Sequence, residues 1–307
     1  MSTINYMWPS SSEYYNTARL SEYKPFSKSD KNTKKYIDLS VGFFGGCSYH
    51  PSAWEQTFKT IRDNFPEAPI VLIEDGRPTG FDYSDMASRY KATYIKEESS
   101  IYLFWPTAEQ CWQYLQWIIK VADVAQTEWL VQLHPDNICN DRFSVVPPGP
   151  VCGVGCGSRS GTSNNRLPHN AEKYLTDIHP NLEMNGYGWC GGGCLHVPTF
   201  RNIMTQFTFD KLLELRRNSL IIGEGVSVWN VTSHEDVFIP FLFNMYGYPY
   251  RVWRDIEELN RGSMGWGTSA AFEHNNKTYY NMSKEQILKL GDTIQEQVKA
   301  EKLVQNK

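Results

Sequence analysis

The sequence predicts an α/β fold built on a mostly parallel sheet, and two observations lead to it. An apolar run at residues 37–44 is followed by a helical stripe of apolar residues and by a second apolar run at 70–73. A strand, helix, strand opening of this kind favours parallel strands with a ligand crevice at their carboxyl ends. The composition, 41% hydrophobic and 21% charged over 307 residues, is that of a globular protein.

Charge and hydropathy exclude several classes of partner. The chain carries 30 Lys and Arg against 34 Asp and Glu, a net charge of −4, so it lacks the basic surface that nucleic acids select. The N-terminus resembles no signal peptide, and no stretch approaches the roughly 18 apolar residues of a membrane span. Seven cysteines are sparse for a chain of this length and odd in number, which does not suit a disulfide framework. We therefore expect a soluble, cytoplasmic protein.

Three segments are expected. Residues 1–35 are polar and aperiodic and predict an extended arm, 36–280 predict one domain, and 281–307 predict a charged C-terminal helix. Within the domain, the segment 147–166 is rich in Pro, Gly, Ser and Asn and predicts a long functional loop.

The individual elements follow from periodicity and end signals. Ser52 and Glu55 form a capping box before the first helix, and Thr107 with Gln110 does so before the second. The second helix is predicted to bury Ala108, Cys111, Trp112, Leu115, Ile118, Ile119 and Ala122. Further along we expect strands at 129–133, 194–197 and 250–253, a helix at 210–217, and a helix that begins at Thr232 or Ser233 and ends at Gly247.

The first candidate site is His134-Pro135-Asp136, directly after the strand at 129–133. A carboxylate and an imidazole at the end of a strand suit Mn²⁺, and a carboxylate alone suits Mg²⁺. Asp136 and Asn137 equally suit a simple turn behind Pro135.

The second candidate is the glycine-rich run 186–193, whose Tyr187 and Trp189 offer flat faces to a sugar ring or base. A bulge or a flexible turn uses the same residues. The third is Glu235-Asp236 at the start of a predicted helix, where a carboxylate serves as a general base or merely caps the helix. The fourth is His274, which in isolation reads as an ordinary surface or core histidine.

In this order the four motifs resemble the common core of GT-A fold glycosyltransferases. The resemblance spans about residues 37–274 and implies a mixed, mostly parallel sheet in one catalytic domain. It matches Asp136 to the last acidic residue of the DxD motif and residues 191–193 to the donor glycine loop. It also matches Glu235 and Asp236 to the xED motif, and His274 to the C-terminal histidine ligand. The first acidic position of DxD is His134 here, so either His134 is a ligand, Asp136 alone holds the metal, or metal dependence is weak.

The implied reaction transfers a sugar from a nucleotide diphosphate, UDP in preference to GDP, to a hydroxyl of a glycan or glycoprotein. Mn²⁺ or Mg²⁺ would neutralise the diphosphate, and Asp236, or Glu235 beside it, would take the acceptor proton with inversion. The expected donor contacts are Phe43, Gly45, Asp75, Arg77, Gly192 and Gly193, with Arg89 or Lys91 on the phosphates; the expected acceptor contacts are Tyr187, Trp189 and Trp266.

Three alternatives stay open. Cys152, Cys156, Cys190 and Cys194 form two CxxxC pairs that suit a structural zinc site. A non-catalytic carbohydrate-binding protein would use the aromatic residues, 14% of the chain, and would need no nucleotide. A metal-dependent hydrolase of nucleotide sugars would use the same donor site with water as the acceptor.

Overall fold

A computed structural model describes the backbone of twelve parts of the chain. They are residues 36–46, 54–73, 82–97, 108–134, 137–139, 141–153, 169–182, 189, 193–221, 235–253, 255–258 and 272–274. The predicted arm at 1–35 and the predicted helix at 281–307 lie outside the described residues.

Strands and helices alternate along the described chain. The strands are β1 (Val41–Gly46), β2 (Ile70–Ile73), β3 (Thr93–Ile95), β4 (Trp129–Leu133), β5 (Asn137–Cys139), β6 (Val151–Gly153), β7 (Cys194–His196), β8 (Arg251–Val252), β9 (Ile256–Glu258) and β10 (Phe272–His274). The helices are α1 (Glu55–Asn64), α2 (Ser84–Arg89), α3 (Ala108–Ala125), α4 (His169–Ile178), α5 (Val197–Gln206), α6 (Phe209–Ile221) and α7 (Glu235–Met245).

Seven of these strands form one mixed sheet in the order β3-β2-β1-β4-β7-β6-β8. Strand β7 is antiparallel to both of its neighbours, while the other six strands run in one direction. The predicted α/β class with a mostly parallel sheet is confirmed. A second, three-stranded sheet has the order β5-β10-β9 and joins the chain just after β4 to its last described strand.

The two faces of the main sheet are covered by different helices because apolar side chains alternate along the strands. On β1, Val41 and Phe43 pack with α1 and α2, and Phe44 packs with α3 and the later helices. The predicted face of α3 is largely confirmed, with Ala108, Cys111, Leu115, Ile118 and Ala122 buried. Trp112 and Ile119 are only partly buried, whereas Tyr114, Trp117 and Val121 are also buried.

Several predicted bounds are wrong. The first strand covers Val41–Gly46 and not 37–44, and α1 begins at Glu55 after Trp54, later than a box at Ser52 implies. Strand β6 lies inside the predicted loop at 147–166, and Val197 opens a helix where a strand was expected to continue. The helix α7 ends at Met245 and is followed by the predicted Gly247, whose φ of +81° is the left-handed geometry of a C-terminal glycine.

The described helices include none that is long and apolar enough to cross a lipid bilayer.

His196, the last residue of β7, makes folding sensitive to acid. Its Nδ1 lies 2.8 Å from Thr199 Oγ1 and its Nε2 lies 3.4 Å from Glu128 Oε1. Burial lowers the pKa of His196 and outweighs the opposing effect of Glu128. The folded state therefore favours the neutral ring, and its contribution to stability is present above the unfolded pKa of about 6.5 and is lost as pH falls below it.

We expect the free energy of unfolding to fall when pH is lowered from 7.5 to 5.5, and to fall less in the His196→Gln variant, which has no imidazole to protonate. Urea unfolding of both proteins at the two pH values measures this difference. An equal loss in wild type and variant would contradict the assignment of the effect to His196.

Candidate functional site

The carboxyl ends of four parallel strands define one edge of the main sheet. Strands β1, β2, β3 and β4 run in the same direction, so their last residues all lie at this edge, which we call the carboxyl edge. In open α/β sheets ligands bind in the crevice outside such an edge. The carboxyl edge is therefore the place to look for the predicted site residues.

The glycine-rich run ends at this edge. Strand β7 is antiparallel to β4 and therefore begins where β4 ends, with Cys194 in register with Val131. The backbone N–H of Gln132 donates to the carbonyl oxygen of Gly193 over 2.8 Å. Gly193 thus lies beside Gln132, near the end of β4 and two residues before His134.

His134 leaves β4 in a closed turn. Its backbone N–H donates to Asn137 Oδ1 over 2.6 Å, and the backbone N–H of Asn137 donates back to the carbonyl oxygen of His134 over 3.0 Å. The His134 side chain is half-buried. The turn interpretation is confirmed for Asn137, while Asp136, inside the same turn, lies outside the described residues.

Strand β10, the last described strand, brings the backbone of His274 to the same turn. Strand β10 is antiparallel to β5, and His274 is in direct register with Asn137, the residue that follows Asp136. The small sheet is held against α1, where Asn64 Nδ2 donates to the carbonyl oxygen of Cys139 over 2.8 Å and the N–H of Cys139 donates to Thr60 Oγ1 over 3.0 Å. The backbones of His134 and His274, two predicted metal ligands, therefore lie close together in space.

The pair Glu235-Asp236 opens helix α7. This helix packs against β6, and the short connection 246–250 joins it to β8, which is parallel to β6. A helix that packs on a sheet and is joined by a short connection to one of its strands runs opposite to that strand. The N-terminus of α7 is therefore directed toward the carboxyl edge, and the backbone of Glu235 and Asp236 lies on that side of the sheet.

Two donor candidates on β1 serve packing instead. Phe43 is fully buried and packs edge-on against Phe65, with ring centroids 5.2 Å apart, so its predicted contact with a base is wrong in this structure. At Gly45 an added Cβ would lie 2.3 Å from Trp54 Cη2, so the missing side chain makes room for this indole. Phe43 and Gly45 thus both lie within β1, where the Phe43 ring and the bare backbone of Gly45 take part in core packing.

Arg89, a predicted phosphate contact, is paired with two carboxylates in the structure. Its guanidinium donates to both carboxylate oxygens of Glu55, at 2.5 and 3.0 Å, and to Asp85 at 3.0 Å. Hydrogen bonds from Arg89 and then Tyr90 hold the pKa of Glu55 below its usual value. The alternative, Lys91, precedes β3 by two residues and so lies at the opposite edge of the sheet.

Trp189 does not offer a free face to an acceptor sugar. Its ring is fully buried, with its centroid 6.3 Å from that of Phe44. A Cβ at Gly193 would lie 2.2 Å from the carbonyl oxygen of Trp189, so this glycine is required by the close approach of the Trp189 backbone. The expectation of stacking at Trp189 is therefore corrected to a core role.

Other candidates lie outside the described residues. They are Asp75, Arg77, Asp136, Tyr187, Gly192 and Trp266. Two of the four zinc-candidate cysteines are described: Cys152 and Cys194 are register partners on β6 and β7 and are fully buried. Burial, followed by the hydrogen bond with Cys152, raises the pKa of the Cys194 thiol, and the described parts of the chain bring no three His, Cys, Asp or Glu side chains into one metal-binding group.

Sequence reasoning missed Asp255, which connects the two sheets. This carboxylate is 3% exposed and accepts from the Ser144 N–H (2.5 Å), the Ser144 hydroxyl (3.0 Å) and the Val145 N–H (2.8 Å). The indole of Trp253 donates to the carbonyl oxygen of Val145 over 2.9 Å. Asp255 thus fixes the connection between β8 and β9, and no local pattern in the sequence marks it.

We expect Asp255→Ala to lower the free energy of unfolding by about 3 kcal/mol, because two buried N–H groups lose a charged acceptor. Ser144→Ala, which removes only the hydroxyl donor, should cost about 1 kcal/mol. Urea unfolding at neutral pH measures both. A loss below the Ser144→Ala value in the Asp255 variant would show that the carboxylate does not anchor this segment.

The chain was also compared with known proteins. Neither a protein-family model nor a curated protein sequence matches it. Its function is therefore argued from the arrangement at the carboxyl edge.

Proposed function

We propose that this protein is a GT-A type glycosyltransferase that moves a sugar from a nucleotide diphosphate to a hydroxyl of a glycan or glycoprotein. The observation that supports the proposal is the convergence of four motifs on one sheet edge. The backbones of His134, Gly193, Glu235-Asp236 and His274 are brought to the carboxyl edge by β4, β7, α7 and β10 respectively.

The convergence matters because the simpler interpretations do not require it. A turn at Asn137, a bulge in a glycine-rich run and an acidic helix start each explain one motif locally. None of them explains why segments between residues 134 and 274 meet where parallel strands end. A shared ligand at that edge explains all of them together.

The available donor atoms suit Mn²⁺ better than Mg²⁺. Asp136 contributes carboxylate oxygen, while His134 and His274 contribute imidazole nitrogen, which Mn²⁺ accepts and which Mg²⁺ disfavours. These three residues would hold the ion. When bound, it would neutralise charge on the leaving diphosphate.

The protein's own part in the reaction is proton removal. Asp236 accepts the proton of the acceptor hydroxyl while the hydroxyl oxygen bonds to the anomeric carbon and the bond from that carbon to the diphosphate breaks. Attack from the face opposite the leaving group inverts the anomeric centre. Successive residues of a helix are about 100° apart, so we assign the role of base to one of the two carboxylates, Asp236, and not to both.

Thermal unfolding tests the donor site directly. We expect Mn²⁺ with UDP to raise Tm, since a ligand at about 100 times its Kd adds roughly 2.7 kcal/mol to the native state. GDP should act more weakly, and UMP, which lacks the second phosphate, should act least. If no nucleotide diphosphate stabilises the protein with any divalent ion, the glycosyltransferase proposal and the hydrolase alternative both fail.

A further inference from the structure

Two buried cysteines oppose each other on neighbouring strands of the main sheet. Cys152 on β6 and Cys194 on β7 are register partners in an antiparallel pairing. Both are fully buried in the same apolar cluster, and both are free thiols in this structure. The reaction proposed for the carboxyl edge uses neither of them.

The backbone geometry suits a covalent bond between the two sulfurs. Directly opposed residues of antiparallel strands have Cα atoms about 4.5–5.5 Å apart, and their side chains lie on one face of the sheet. Disulfides join residues whose Cα atoms are about 4.4–6.8 Å apart. The thiols of Cys152 and Cys194 are already in hydrogen-bonding contact with each other. The bond therefore needs no change in the register of β6 and β7.

The cysteine pair lies at one end of the β6–β7 ladder, because Cys194 is the first residue of β7. The ladder is short, and Val151 with Leu195 is the next register pair. The end of a short ladder opens locally at a lower free energy than the centre of a sheet. Burial raises the pKa of the Cys194 thiol, so little thiolate is present while the ladder is closed. We therefore expect local opening to govern the access of an oxidant and its reaction to be slow.

Cys139 on β5 provides an internal comparison. It is 2% exposed, and its thiol donates to the carbonyl oxygen of Asp141 over 3.4 Å. Its register partner on β10 is Phe272 and not a cysteine. Cys139 is thus nearly as buried as the pair but has no second thiol opposite it.

We propose that Cys152 and Cys194 are a redox modification site, at which hydrogen peroxide forms a cross-strand disulfide in the folded protein. The peroxide oxidises one thiol to a sulfenic acid and releases one water. The second thiol attacks that sulfur, the S–S bond forms, and the sulfenic hydroxyl leaves as a second water. The two sulfurs together lose two electrons and two protons, which the peroxide takes up as its O–O bond breaks. This site is independent of the proposed function.

The test treats the folded full chain with hydrogen peroxide, denatures it, alkylates the remaining thiols and measures the intact mass. Wild type should lose two of its seven thiols over hours and regain both with dithiothreitol. Cys152→Ala and Cys194→Ala should each prevent this loss. Cys139→Ala is the matched control and should lose two thiols as wild type does. Retention of all seven thiols by wild type overturns the inference.

A second variant excludes the neighbouring cysteines, Cys156 and Cys190, which lie outside the described residues. They share tryptic peptides with the pair, at 143–159 and 174–201, so a linked peptide alone does not identify the bonded sulfurs. The double variant Cys156→Ser with Cys190→Ser should still give these two peptides joined by a disulfide. If wild type forms a disulfide and this variant does not, the bond belongs to other cysteines and the inference is overturned. Neither measurement needs the alanine variants to fold.

The Tm of the oxidised protein shows whether the bond forms within the native ladder. A cross-link between residues 152 and 194 closes a loop of about 40 residues and should raise Tm by roughly 5 °C. Dithiothreitol should reverse this rise. A Tm that is unchanged or lower after oxidation would show that the sulfurs join only when β6 and β7 are displaced, and it would overturn the proposal of a native disulfide.

Discussion

Asp236→Asn should reduce sugar transfer at least about 100-fold while leaving nucleotide binding intact, since a positioned general base contributes about 10²–10⁴ to the rate. The amide has nearly the shape of the carboxylate but cannot take a proton from the acceptor hydroxyl. Asparagine and aspartate have similar helix propensities, so α7 should form normally with Asn at its second position. The measurement is release of nucleotide diphosphate from a panel of UDP- and GDP-sugars with acceptor present.

Glu235→Gln is the matched control for this variant. It makes the same chemical change one residue earlier, so it has the same effect on the charge near the helix N-terminus. We expect its kcat to stay within a few-fold of wild type. If the two variants exchange their effects, Glu235 is the base; if Asp236→Asn loses nucleotide binding and transfer equally, the carboxylate is a structural cap.

The same assay distinguishes the two alternative functions. A nucleotide-sugar hydrolase would release diphosphate at full rate without an acceptor, whereas a transferase should need the acceptor hydroxyl. A carbohydrate-binding protein would release none and would bind no nucleotide. Asp136→Ala would leave glycan binding by such a protein unchanged, and it should abolish Mn²⁺-dependent nucleotide binding by a transferase.

The centre of the fold was predictable because its signals are local. The strands at 70–73 and 129–133 have the predicted bounds, and the main buried positions of α3 follow from helical periodicity. In contrast, β6 has three residues inside a stretch dominated by Pro and Gly, too short to show a period. The small sheet pairs residues 137–139 with 272–274, and pairing over such a separation leaves no mark in either segment.

The site candidates divide in the same way. The ends of β2 and β4 were predicted correctly, but which face a side chain occupies depends on the helices that cover the strand, and Phe43 therefore lies in the core. Arg89 was predicted as a contact for the phosphates, and the sequence did not show that its carboxylate partner is Glu55, 34 residues earlier in the chain.

Gly45→Ala should be strongly destabilising, because the added methyl group would overlap the ring of Trp54. The new Cβ would lie 2.3 Å from Cη2 and 2.8 Å from Cζ3 of Trp54, and 3.2 Å from the carbonyl oxygen of Leu133. Trp54 is 1% exposed, so its ring has no free space to enter. Overpacking costs about 1–3 kcal/mol, and we expect the upper end, about 3 kcal/mol, which for a chain of this length is roughly 5 °C in Tm.

The adjacent Gly46→Ala is the control, because its Cβ would meet only Trp117 Cη2 at 3.2 Å and should change stability by less than about 1 kcal/mol. Combining Gly45→Ala with Trp54→Phe should recover stability relative to the sum of the two single variants, since the smaller ring leaves room for the methyl group. Strict additivity would show that Trp54 is not the obstacle. If the double variant regains stability and still binds UDP with Mn²⁺, Gly45 is required for packing; if it is stable and fails to bind, the bare backbone at Gly45 contacts the donor as the sequence suggested.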